Sequence, residues 1–128
     1  MSRTAKVRLV FGDGPRNFRL GIGEIDELEE ITGYGLKRLF MRIRDGDHRA
    51  SELRNTLRLG LIGGGMKPAA AWTLVDRYAK EGYLVDCEEP ATLILGAALT
   101  GSVDDAMEGE PEGELTGERT ASPSPTAV

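Results

Sequence analysis

The segment Gly63-Gly64-Gly65-Met66-Lys67-Pro68 comes nearest in this chain to a phosphate cradle. Successive glycines ahead of a lysine can aim backbone N–H groups and an ammonium at one anion. The spacing is wrong for that chemistry. No Ser or Thr follows Lys67, Pro68 takes away a backbone donor, and a helical pattern rather than a strand precedes the glycines. A helix-to-helix turn accounts for the segment better. Gly12-Asp13-Gly14 lies between two alternating runs and reads as a hairpin turn, not a cation loop. His48, the sole histidine, falls among Asp47 and Arg49 in a polar stretch, which predicts a solvated loop residue. It leaves too few ligands for a His-dependent metal site. Cys87 is the sole cysteine, and Asp86, Glu88 and Glu89 beside it disfavour a thiolate.

Two charge clusters remain. Glu24, Asp26, Glu27, Glu29 and Glu30 form an acidic run, and Lys37, Arg38, Arg42 and Arg44 form a basic stripe. Each reads first as the solvated side of a helix, and second as a patch for a partner or for phosphates. No Ser–His–Asp, Cys–His or paired-carboxylate arrangement emerges. The expectation is a protein that is not an enzyme, with no catalytic residues, cofactor or metal site.

The elements that would carry these residues can be read from periodicity. Lys6–Phe11 alternates, with Val7, Leu9 and Phe11 on one face; Asn17–Ile22 alternates, with Phe18, Leu20 and Ile22 on one face. With Gly12–Arg16 as the turn, they predict a β-hairpin that needs cover from helices. Five helices follow: Glu24–Ile31, Leu36–Arg44, Ser51–Ile62, Pro68–Glu81 and Glu89–Thr100, with Tyr83-Leu84-Val85 as a connector. Leu36, Leu39, Phe40 and Ile43 make a clean apolar stripe. Ser51 is the expected N-cap of the third helix and Pro68 the first residue of the fourth. The fifth is apolar nearly all round, which predicts a central helix or one buried against a partner.

Composition sets the frame. Hydrophobic residues make up 40% of the 128-residue chain, enough for one modest, mainly aliphatic core. The net charge is −5. From Ser102 onward there are seven acids against one base, Arg119, so that stretch carries −6 and residues 1–101 carry +1. Residues 102–128 are rich in Glu, Gly, Pro, Ser and Thr and predict a disordered acidic tail. The fold class expected is α+β and mostly α: residues 1–101 as a hairpin on four to five short helices, then the tail. A single cysteine and the absence of a long apolar run suit a soluble, unsecreted protein with no membrane partner. The acidic balance argues against nucleic acid.

The order of the segments resembles a known family. The hairpin leads to Arg19-Leu20-Gly21-Ile22-Gly23-Glu24-Ile25, then Gly33-Tyr34-Gly35, then Leu61-Ile62-Gly63-Gly64-Gly65-Met66-Lys67-Pro68, and finally Leu95-Gly96-Ala97-Ala98-Leu99-Thr100-Gly101. This is similar to the small tail-assembly chaperone-like proteins of gene transfer agents and siphophage-type prophages, over about residues 5–101. Lys67 departs from the Ser or Thr that the family often places before the proline, which weakens one helix cap. The resemblance implies a cytoplasmic bacterial protein that binds the tape-measure protein during tail assembly, with a tail-tube subunit as a further partner. Leu36, Leu39, Phe40, Ile43, Trp72 and Tyr78 are the candidate partner contacts, since they carry more apolar surface than a small core absorbs. The alternatives are a structural tail or tail-tube-associated component of the particle, and a small DNA-binding regulator using the second and third helices.

Overall fold

The computed structural model describes residues 3–103. The expected disordered tail lies outside the described residues from position 104 onward. Its first two residues, Ser102–Val103, instead form a short strand, β4, paired with β1 (Arg3–Thr4). Residues 5–102 make a compact unit, and all that follows concerns that unit.

The hairpin forms from β2 (Val7–Phe11) and β3 (Gly14–Phe18), antiparallel, with Val7 opposite Phe18 and Phe11 opposite Gly14. The turn is therefore two residues long, Gly12-Asp13. Gly12 has φ +73°, where a side chain is strained, and a Cβ there would enter the Tyr78 ring. Gly14, Pro15 and Arg16, expected in the turn, belong to the strand. Pro15 is tolerated because it pairs opposite Val10 at a position whose N–H points away from the partner strand. The inward face carries Phe11 and Phe18, whose rings meet edge to face at 6.2 Å.

The second strand ends at Phe18 and does not reach Ile22, because two hydrogen bonds redirect the chain. Arg19 N–H donates to Gly60 O at 2.9 Å, and Gly21 N–H donates to Glu24 Oε1 at 2.9 Å. The first helix, α1 (Ile22–Thr32), starts there, two residues earlier than periodicity suggests. Ile22, expected on the hairpin's inner face, is 74% exposed. Gly33 closes α1 at φ +81°. Helix α2 (Leu36–Arg44) has the expected bounds, and Glu29 Oε2 accepts its first N–H, from Leu36, at 2.8 Å.

Helix α3 (Ala50–Gly63) begins after Arg49 rather than Ser51, since the Glu52 carboxylate accepts the Arg49 N–H at 3.0 Å. Helix α4 (Pro68–Tyr78) has Pro68 at its first turn and no side-chain cap from Lys67. It stops three residues short of Glu81. A 3-10 turn, Val85–Cys87, occupies part of the expected connector and leads directly into α5 (Glu88–Thr100).

The central helix is α3, not α5. Leu53, Leu57, Leu59 and Leu61 are all buried on it, and α1, α4, α5 and β3 pack round it. α5 buries Ala91, Ile94 and Leu95 against α2, α3 and β2 while Leu93 and Leu99 stay exposed. What lets α3 be central is glycine. Phe18 and Ile94 press on Gly60, and the chain of β3 lies directly on the last turn of α3, where a Cβ on Gly63 or Gly64 would overlap the carbonyl of Arg19 or of Asn17. No helix among the described residues is long and apolar enough to cross a membrane.

Candidate interaction surface

The six residues expected to contact a partner are not equally available. Leu36, Leu39 and Ile43 are buried between α2 and the rest of the core, so the apolar stripe of α2 is spent within the domain. Phe40 is half-buried, its ring under the Arg44 guanidinium at 5.6 Å and within reach of Gly96 on α5. Tyr78 is half-buried too, edge-on to Phe11 at 6.0 Å. Trp72 alone of the six is open, 39% exposed.

Trp72 is held by its neighbours on α3. Arg58 lies 4.7 Å and Arg54 5.7 Å from the indole ring, both within cation–π range. Arg58 is itself fixed by Asn55 and by Glu27 at 3.4 Å, and Arg54 by an ion pair with Asp76 on α4. A rigid tryptophan set among arginines has the composition of an energetic anchor at an interface. Other open apolar side chains are Val10 on the outer face of the hairpin, Tyr83, and Val85 in the 3-10 turn. Sequence reading missed these. Val10 sits at the polar parity of its strand, which was the one signal available.

The charge clusters resolve into structural roles. Glu24 caps its own helix, Glu29 caps α2, and Glu27 pairs with Arg58. Arg42, read as part of a solvated stripe, holds the buried Glu52 at 3.0 Å and covers the Tyr34 ring at 4.2 Å. That hydrogen bond to Glu52 raises the Arg42 guanidinium above its ordinary value. Arg44 pairs with Asp45 at 2.9 Å and holds that carboxyl below the usual carboxylate range. With these two arginines engaged, a phosphate-reading α2 loses half of its basic stripe.

His48 is not a solvated loop residue. Its side chain is 7% exposed, with Nε2 3.4 Å from Glu88 Oε2 at the start of α5. The loop follows α2, which packs on α5, and this brings His48 to the first residue of α5. Cys87 is buried, and burial, with Asp86 adding to it, pushes its thiol up. Among the described residues no group of three or more His, Cys, Asp or Glu is placed to hold a metal ion.

The contrast between the candidates is measurable. Leu39→Ala is expected to cost about 2–5 kcal/mol in urea unfolding, since it empties a fully buried site. Trp72→Ala is expected to leave the domain folded at a cost of about 1 kcal/mol, mainly the lost arginine stacking.

Comparison with known proteins adds one match. A family model described as phage tail tube protein, GTA-gp10, covers residues 4–101. The comparisons with curated proteins and with solved structures gave no match.

Proposed function

Because the chain belongs to the phage tail tube protein, GTA-gp10 family, we propose that it is a non-enzymatic structural component of a phage or gene-transfer-agent tail. It is made in the bacterial cytoplasm and takes its place against other tail proteins, the tube subunit first among them. The observation that carries this reading is the extent of the match, which takes in the hairpin and all five helices. The surface agrees with it. Trp72, braced by Arg54 and Arg58, supplies a pre-ordered anchor, and two of the four basic residues of α2 that a DNA-binding role would use, Arg42 and Arg44, are occupied by Glu52 and Asp45.

The tape-measure chaperone is the second reading. The exposed Leu93 and Leu99 of α5 favour it, since an elongated helical client would cover such positions. Quantitative mass spectrometry of purified particles separates the two. A tail component is expected at a fixed stoichiometry with the tube subunit. Absence from particles, together with co-purification with the tape-measure protein from cells, would replace the structural reading by the chaperone.

A further inference from the structure

A two-stranded hairpin has two free edges unless something covers them. The outer side of β3 meets the end of α3, where the carbonyl of Asn17 lies on Gly64, and Pro15 offers no N–H there. The edge of β2 has no such cover. The two-residue turn makes Phe11 and Gly14 the hydrogen-bonded pair beside it, so alternation turns the N–H and C=O of Arg8 and Val10 away from β3. Neither residue makes a backbone bond beyond the hairpin among the described residues, and both are exposed, Val10 by 72%. A long charged side chain can guard such an edge. That of Arg8 does not, because it crosses the hairpin to Asn17 Oδ1 at 2.6 Å.

At the turn end of β2 this edge opens on a cavity of about 310 Å³ walled by Phe11, Tyr78, Tyr83 and Pro90. Tyr83 is itself 53% exposed, so the cavity is apolar inside and open at its mouth. Asp86 is the one charged residue that lines it, exposed and without an ion pair among the described residues. Unbonded backbone groups, an apolar hole and an unpaired carboxylate thus lie side by side.

We propose that β2 receives an extended segment of a partner protein as a third strand of the sheet. Its backbone pairs with Arg8 and Val10. Alternate side chains of a strand share a face, so the guest residue beside Phe11 points inward as Phe11 does and fills the cavity with a large apolar side chain. A lysine or arginine close to it in the segment meets Asp86. The partner is therefore recognised by extended backbone and by an apolar residue with a basic neighbour, not by the apolar stripe of a helix. This contact goes beyond the tail reading and holds whether or not the protein stays in a finished particle.

Random heptapeptides displayed on phage and selected against the full chain supply the probes, and the enriched sequences are remade as synthetic peptides for fluorescence anisotropy. Expected is enrichment of a large apolar residue with Lys or Arg close by. Binding should protect the Arg8 and Val10 amides from hydrogen exchange in NMR spectra, while Leu9 and Phe11, bonded within the hairpin, change little. N-methylation of the peptide at the positions that donate to β2 should weaken it about tenfold, and at the intervening positions hardly at all. Asp86→Lys should weaken the basic peptides about tenfold and favour acidic analogues. Val10→Pro removes an outward N–H and should weaken binding by a similar factor. Circular dichroism confirms that this variant is folded; if it is not, the N-methylated peptides decide, since they leave the protein untouched. No enriched sequence, binding indifferent to the N-methylated position or to Asp86→Lys, or protection elsewhere in the domain overturns the proposal. Protection of Arg8 and Val10 that rises with protein concentration in the absence of peptide would assign the edge to a second copy and also overturn it.

Discussion

Glu52→Ala is expected to lower the melting temperature by about 15 °C, the scale at which breaking a buried ion pair registers in a domain of this size. Glu52 is 1% exposed yet carries a carboxylate. Its position is tolerable because every oxygen is used. Arg42 Nη2 donates to Oε1 at 3.0 Å and to Oε2 at 3.2 Å. Arg49 contributes its backbone N–H to Oε1 at 3.0 Å and its Nε to Oε2 at 3.1 Å. Alanine would leave the Arg42 guanidinium with the exposed Asp47 carboxylate at 3.5 Å in place of the buried one, and the Arg49 N–H just ahead of α3 without its acceptor. Glu52→Gln, which retains a cap oxygen but not the charge, should fall between alanine and wild type. The double variant Arg42→Met with Glu52→Leu should melt higher than Glu52→Ala, since an apolar pair leaves no uncompensated charge. Differential scanning calorimetry reads all three. An alanine variant that melts within a few degrees of wild type would mean the pair contributes nothing.

This carboxylate also marks where sequence reading reached its limit. Local rules place Glu52 in the first turn of a helix, and it is there. They say nothing of Arg42, ten residues earlier on another helix, which turns a surface pair into a buried one. The same limit applies to His48. A polar neighbourhood in sequence became an enclosed one in space when α5 closed over it. What repeats along the chain was legible: the bounds of α2, the existence of all five helices, the inward face of β2, and Gly33 as a stop. Hairpin register was not, because Pro15 and Gly14 read as turn residues while the actual turn needed just Gly12 and Asp13. The apolar stripe of α2 meets a related limit. An amphipathic stripe announces that it will be covered but not by what, and here Leu36, Leu39 and Ile43 are covered by the domain itself.

Gly63→Ala and Gly64→Ala are each expected to destabilise the domain by about 3 kcal/mol, measured by urea unfolding, and the pair combined to lose the folded state. The sequence Gly63-Gly64-Gly65 reads as a helix stop, and a stop needs one glycine, not three. The structure divides two tasks among the three. Gly65 takes φ +115° at the turn toward α4, with open space around it, so alanine there adds backbone strain alone, about 1–2 kcal/mol. Gly63 and Gly64 have ordinary helical and near-helical backbone, and their task is contact. The carbonyl oxygens of Arg19 and Asn17 occupy the space a methyl would need. These are backbone atoms of the segment that bonds Arg19 N–H to Gly60 O, so they cannot swing aside as a side chain would without breaking that bond. Gly23, in the open first turn of α1, is the control: alanine there should be neutral or stabilising by about 0.5 kcal/mol. If Gly63→Ala and Gly23→Ala proved alike, the close packing of β3 on α3 would be wrong. If Gly63→Ala alone collapsed the fold, the triple glycine would stand as the joint that seats the hairpin, which explains its conspicuous spacing without any phosphate.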